Sequence, residues 1–332
     1  MFRCMRRTLT KTGVGILALA VLSVVAPLRH AGAQQAKSPE QMTPAELRAF
    51  LAKNPEIFLK SARTTLKWDE AAEPVKIAGP IYAVGTKGLN SWLITGSEGY
   101  IVLNTCMSES GPMIEASIRK LGFDPKRIKW LLTGHSHVDH VGGHAYLKML
   151  TGAQVAVSEK EVALLESGGK GQFNYDGVPG LDYPAVKVDR ALRDGDVVRL
   201  GDIALTAHLT AGHNVGSMTW TMNVVDGGKT LSVVFPDGAG VNPGFRIVKD
   251  PSYPGIERDY RNTLRFLATL KPDIWLHSHT DTMGFEAKRA RVAAEGSRAW
   301  VDPDGYRKYV AGETAAFQAV VDGEMGVPAK RN

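Results

Sequence analysis

Six consecutive residues of this 332-residue chain, His135-Ser136-His137-Val138-Asp139-His140, hold three imidazoles and a carboxylate. These are side-chain types that ligate zinc. The window follows Trp130-Leu131-Leu132-Thr133, a continuous apolar run read as a buried strand. A helix is expected after it, from about Gly142 to Leu150. Loops held at a strand end by a rigid scaffold are where sites are usually built. In an extended stretch His135 and His137 project to the same side, and a turn then aims Asp139 and His140 at a neighbouring point. Four ligand-type side chains are more than one four-coordinate metal readily takes. Two metals, each completed from elsewhere in the chain, are expected.

The completing ligands should also lie at strand ends. His213 sits in Thr210-Ala211-Gly212-His213-Asn214-Val215-Gly216, a turn between two strand candidates. His279 lies in His277-Ser278-His279, just past a strand starting at Asp273. His277 points to the same side as His279 and competes for that slot. His144 and His208 read as structural residues. Cys106 is the one cysteine beyond Cys4, so no intramolecular disulfide remains once the leader is removed. It reads as a small buried residue near a strand end, not as a nucleophile.

The formal net charge of +6 invites a nucleic-acid partner. That reading fails on placement. Residues 1–33 carry five of the 40 basic residues and none of the 34 acidic ones, so the rest of the chain is close to neutral. Arg3, Arg6, Arg7 and Lys11 precede an apolar run from Val14 to Leu28, and Ala31-Gly32-Ala33 is a small-x-small cleavage pattern. The run is shorter than the roughly 20 residues of a membrane span. A signal peptide over 1–33, cleaved after Ala33, is therefore expected. The mature protein is then periplasmic or secreted, outside the membrane, with no nucleic-acid partner. Residues 34–70 read as a helical arm, with a helix start at Thr43-Pro44-Ala45-Glu46. The main domain occupies 71–332, its folded body beginning near Val75.

Strand candidates in the first half are Ile81–Gly85, Ser91–Thr95, Tyr100–Leu103 and Trp130–Thr133, with a helix near Gly111–Leu121. In the second half they are Gln154–Val157, Asp196–Leu200, Ile203–Thr210, Ser217–Met222, Lys229–Phe235 and Asp273–Leu276. Helices are expected near Gly255–Leu270, Glu286–Gly296 and Pro303–Val321. Strands then helix, twice over, indicate an α/β protein whose two β-rich halves face each other with helices outside. The Gly-rich, aromatic segment Gly168–Tyr183 reads as a loop able to wall a pocket with Phe173 and Tyr175.

The pattern His135-x-His137-x-Asp139-His140 resembles the signature of the metallo-β-lactamase superfamily. Further motifs are similar to the third subclass of class B β-lactamases: Gly85-Thr86-Lys87-Gly88-Leu89, Ala211-Gly212-His213, Gly216-Ser217-Met218-Thr219-Trp220 and Asp259-Tyr260-Arg261. The resemblance covers about residues 70 to 300. It implies a four-layered αββα sandwich of two mixed β-sheets and two Zn2+ ions per chain. The first would be held by His135, His137 and His213, the second by Asp139, His140 and His279. It also implies a monomer that hydrolyses the β-lactam amide of penicillins, cephalosporins and carbapenems and so confers antibiotic resistance. The attack would come from a zinc-bridging hydroxide, with Asp139 as the catalytic residue that orients it.

The chain departs from that subclass at Gly238 and Gly240, where serines that hold a zinc-bound water and the substrate carboxylate are common. Asn242 or Arg246 would then bind the carboxylate. Asn104 stands where an aspartate is frequent, a structural position. Two rival readings remain. One is another dizinc hydrolase of the superfamily, a lactonase or thioester hydrolase, in which an aspartate near the place of Asp237 bridges both metals. The other is a catalytically inactive secreted zinc-binding domain.

Overall fold

The computed structural model describes Phe50 and residues 53–327. The leader, its cleavage site and the helix start at Thr43 lie outside the described residues. A helix, Pro55–Thr64, enters the body. Its Leu59 and Ala62 are buried, as is Trp68 just beyond it, so this part of the arm packs into the domain.

The first sheet holds β1 (Val75–Ala78), β2 (Ile81–Ala83), β3 (Trp92–Gly96), β4 (Gly99–Leu103), β5 (Ile128–Leu132), β6 (Gln154–Ser158) and β7 (Arg190–Leu192), side by side in chain order. The pairs from β1 to β4 are antiparallel and those from β4 to β7 parallel. The parallel links need crossovers, which the helices Gly111–Lys120 and His144–Thr151 supply between β4 and β6. The second sheet contains β8 (Val197–Leu200), β9 (Ile203–Leu209), β10 (Met218–Asp226), β11 (Lys229–Phe235) and β12 (Ile274–Trp275). It is antiparallel except at β11–β12, whose crossover is the helix Ile256–Thr269.

Successive side chains on a strand face opposite ways, and the core divides accordingly. Trp92, Ile94, Ile101, Leu103 and Leu132 join Leu205, Ala207, Met218, Trp220 and Val233 in a cluster between the sheets. Leu93, Val102, Leu131 and Val155 face away from it, towards Ile114, Ile118 and Leu147 of the two crossover helices. This explains why β4 is buried at every residue: it is covered on both faces. Burying an Ile or Leu fully contributes roughly 1.5–3 kcal/mol. The helices Ile256–Thr269 and Pro303–Met325 bring Tyr260, Leu264, Tyr306 and Phe317 to the second sheet. The second helix starts cleanly because Asp302 caps Gly305 N and Pro303 takes the first turn. The architecture is the expected sandwich of two mixed sheets with helices outside.

Three local features go beyond the sequence reading. β1 and β7, of four and three residues, are buried only towards their C-terminal ends and carry no alternating pattern. The helix expected over Glu286–Gly296 is split into Phe285–Arg289 and Val292–Glu295, with Gly296 at φ +60° ending the second piece. The end of the histidine window is itself helical, as a short turn Val138–Val141.

Candidate metal centre

β5 ends at Leu132, and the chain then runs into the histidine window with its backbone fixed from three sides. Asn104 Oδ1 accepts from Gly134 N at 2.9 Å and from Thr133 Oγ1 at 3.1 Å. Trp220 Nε1 donates to Thr133 O at 2.9 Å, and Met218 N donates to Gly134 O at 2.6 Å. Asn104 is thus structural, as expected. Only glycine fits at 134, because a Cβ there would lie 2.0 Å from Asp237 Oδ2.

The window and the two distant histidines meet. One ligand atom each of His135, His137 and His213 lies within 4.8 Å of the others, and so do those of Asp139, His140 and His279. His135 Nε2 is 2.9 Å and His213 Nε2 3.2 Å from His137 Nδ1. Asp139 Oδ2 is 3.4 Å from His279 Nε2 and 3.5 Å from His140 Nε2. Burial holds His135, His137 and His140 well below the ordinary imidazole value and lowers His213 as well, which keeps them neutral. Burial also raises Asp139, opposed by His279. Neutral imidazole is the form that accepts a metal.

The residues fit a metal on their own chemistry. Both ring nitrogens of His140 are buried with no hydrogen-bond partner, an arrangement that costs about 1–3 kcal/mol per unsatisfied group. Three imidazole nitrogens converge in the first group at 2.9 and 3.2 Å, close enough to share one cation. His277, the rival of His279, is turned away: its Nδ1 accepts from His279 N at 3.1 Å and its ring packs on Tyr309. It joins none of the ligand groups among the described residues. His144 shares a 2.7 Å hydrogen bond with Thr105 Oγ1 and His208 one of 2.8 Å with Thr221 Oγ1, both structural as read from sequence. Cys106 is buried and its thiol is pushed far up, so it is no nucleophile.

Around the histidines stand further residues, of which Asp237 and the segment Gly168–Tyr183 were expected near the site and Glu161, Gln172 and Trp68 were not. Asp237 accepts from His135 Nδ1 at 2.9 Å and lies 3.8 Å from His140 Nδ1. Gly240 O accepts from His213 Nδ1 at 2.7 Å. Glu161 is fully buried and accepts from Ser136 N, Asn214 Nδ2 and Gly216 N, so one carboxyl group ties the window to the turn that carries His213. No local pattern marks Glu161. The segment Gly168–Tyr183 does wall the site: the ring of Tyr175 lies 5.2 Å from that of His137, and Gln172 touches His137 directly. On the other side the ring of Trp68 lies 5.2 Å from that of His279. Asn242 donates to Tyr175 Oη at 2.7 Å, which places it on the rim. Arg246 is not drawn in; its guanidinium pairs with Asp250 on an exposed loop.

Residues 84–279 match the family model described as the metallo-beta-lactamase superfamily. The chain belongs to that superfamily. Among solved structures it is similar to the subclass B3 metallo-beta-lactamase BJP-1 of Bradyrhizobium japonicum, with a TM-score of 0.75 and 37% identity over 80% of this chain and 98% of that one. The native FEZ-1 metallo-beta-lactamase of Legionella gormanii gives a TM-score of 0.75 and 36% identity, covering 77% of this chain and 98% of that one. Among curated proteins, a hydroxyacylglutathione hydrolase of a Methylobacterium species is 29% identical over 57% of this chain and 62% of its own. A probable metallo-hydrolase of Burkholderia pseudomallei is 32% identical over 34% of this chain, which spans only 36% of that protein's length. As a member of the metallo-beta-lactamase superfamily, the protein has the fold of a hydrolytic metalloenzyme. Among the described residues no helix is long and apolar enough to cross a membrane.

Proposed function

We propose that the protein is an exported zinc β-lactamase, acting as a monomer on penicillins, cephalosporins and carbapenems. The observation that carries this reading is the pair of ligand groups, His135-His137-His213 and Asp139-His140-His279, brought together from the ends of β5, β9 and β12. Each group would hold one zinc. When bound, the two ions supply hydroxide at neutral pH and polarise the substrate carbonyl. Asp139 orients the attacking water. Asp237 and the Gly240 carbonyl hold the rings of His135 and His213 in the tautomer that turns Nε2 inward. Tyr175 and Phe245, whose rings pack on His137 and His213, keep the site dry on one side. Asn242 is the rim side chain best placed to take the substrate carboxylate, while Arg246 is free to do so only after releasing Asp250. No serine or cysteine nucleophile is needed.

A thioester or lactone hydrolase is the second reading. Asp237 favours it by its place after β11, where such hydrolases carry an aspartate that bridges both metals. So does the likeness to hydroxyacylglutathione hydrolases. Steady-state hydrolysis of a cephalosporin and of an acyl thioester by the zinc-loaded protein separates the two. The β-lactamase reading expects kcat/KM for the cephalosporin to exceed that for the thioester; the reverse order would replace it with the second.

A further inference from the structure

The three histidines of the first group differ in what holds their outward nitrogens. His135 Nδ1 faces a carboxylate and His213 Nδ1 a backbone carbonyl, both acceptors. His137 turns its Nδ1 inward, towards His135 Nε2 and His213 Nε2, so its outward atom is Nε2. That atom meets Gln172 Nε2 at 3.0 Å. An amide nitrogen carries two donors and no acceptor. The amide is not free to turn over, because Gln172 Oε1 accepts from Asn174 N at 2.6 Å and Tyr175 N at 2.8 Å. Both Gln172 and His137 are buried, so water does not readily replace a lost partner.

Two arrangements of the proton follow. If Gln172 donates to His137 Nε2, the proton of the neutral ring sits on Nδ1, the atom that points into the ligand group. If a metal takes the Nδ1 lone pair, the proton moves to Nε2 and faces the amide donors. A ligating histidine ordinarily gives its other N–H to a carboxylate, carbonyl or water. Here that partner is missing for one ligand of three.

We propose that Gln172 is a positioning residue that holds His137 in the tautomer unfit for metal and so weakens the first metal position. This rests on the reading of His135, His137 and His213 as ligands. Metal entry must move one ring proton and break either the Gln172–His137 contact or the two backbone bonds to Oε1. Gln172→Glu supplies the missing acceptor: one carboxylate oxygen takes the Nε2–H while the other keeps Asn174 N and Tyr175 N.

The test is a zinc titration of the metal-free full chain against a competing chromophoric chelator, for the wild type, Gln172→Glu and Gln172→Met. Gln172→Glu is expected to bind zinc at the first position about 10–100-fold more tightly, the range typical of such partners. Binding at the second position should be unchanged, and Gln172→Met should bind no more weakly than the wild type. Nitrogen-15 NMR of the wild-type imidazoles reads the tautomer directly and needs no variant. The His137 proton should be on Nδ1 without metal and on Nε2 with zinc. Equal affinity of Gln172→Glu and wild type, loss of affinity in Gln172→Met, or a proton on Nε2 in the metal-free protein would overturn the proposal. Zinc binding at neither position would instead overturn the ligand reading beneath it.

Discussion

Asp237, at the end of one sheet's strand β11, accepts from His135 Nδ1 at 2.9 Å at the end of the other sheet's strand β5. The contact spans the sandwich and explains the glycine at 134. A Cβ at Gly134 would strike Asp237 Oδ2, and Asp237 Oδ1 accepts from Gly238 N at 2.6 Å.

Replacing Asp237 separates its two possible roles. If it orients His135, Asp237→Ala lowers zinc affinity at the first position about 10–100-fold and leaves the second nearly intact. If it bridges both metals, both positions weaken together. A zinc titration resolving the two positions decides between them.

The two glycines that stand where the subclass commonly has serines are not equivalent. Gly238 has φ +85°, and a Cβ there would lie 1.7 Å from Thr210 O. Gly238→Ser is expected to cost at least about 2 kcal/mol in urea unfolding, from left-handed strain and overpacking. Gly240 has room: a Cβ would find nothing nearer than His213 Nδ1 at 3.9 Å and Glu313 Oε2 at 4.0 Å. Gly240→Ser should stay within about 0.5 kcal/mol of the wild type and lower KM for β-lactams.

His279→Ala is expected to halve the zinc bound per chain, because a position keeping only two ligands binds weakly. His277→Ala should leave the zinc content unchanged, since its Nδ1 already accepts from His279 N. Metal analysis after dialysis checks both, and equal loss from the two variants would reverse the assignment.

Glu313, on the helix Pro303–Met325, lies beside Gly240 with Tyr309 as its electrostatic neighbour. Burial pushes its carboxyl up to about 7. An acid raised in the folded state binds its proton more tightly there than in the unfolded chain. Its ionisation therefore costs stability as pH rises from about 4.5 towards 7, and the full cost is present above 7. Glu313→Gln should be more stable than the wild type by about 1–3 kcal/mol at pH 8 and equal to it near pH 4. Urea unfolding at the two pH values reads the difference.

The part of the site that is legible in the sequence is the part that is contiguous or marked by a strand end. Three histidines and Asp139 lie in one window, and His213 and His279 each follow a readable strand. Glu161 and Gln172 are not legible, because what matters is the atom each presents to a ring or a turn far along the chain. Asp237 is legible as a candidate but not in its role, which depends on which nitrogen of His135 it meets. In the fold, the long strands and the helix Ile256–Thr269 follow from their apolar periodicity. β1 and β7 do not, since each is buried only towards its C-terminal end and shows no alternation, and their pairing is decided by neighbours.

Carbapenem hydrolysis by the purified protein, with and without a zinc chelator, tests the central claim most directly. The account predicts turnover that the chelator abolishes and added zinc restores. Absence of turnover with two zinc ions bound per chain, for a carbapenem, a penicillin and a cephalosporin alike, would contradict it.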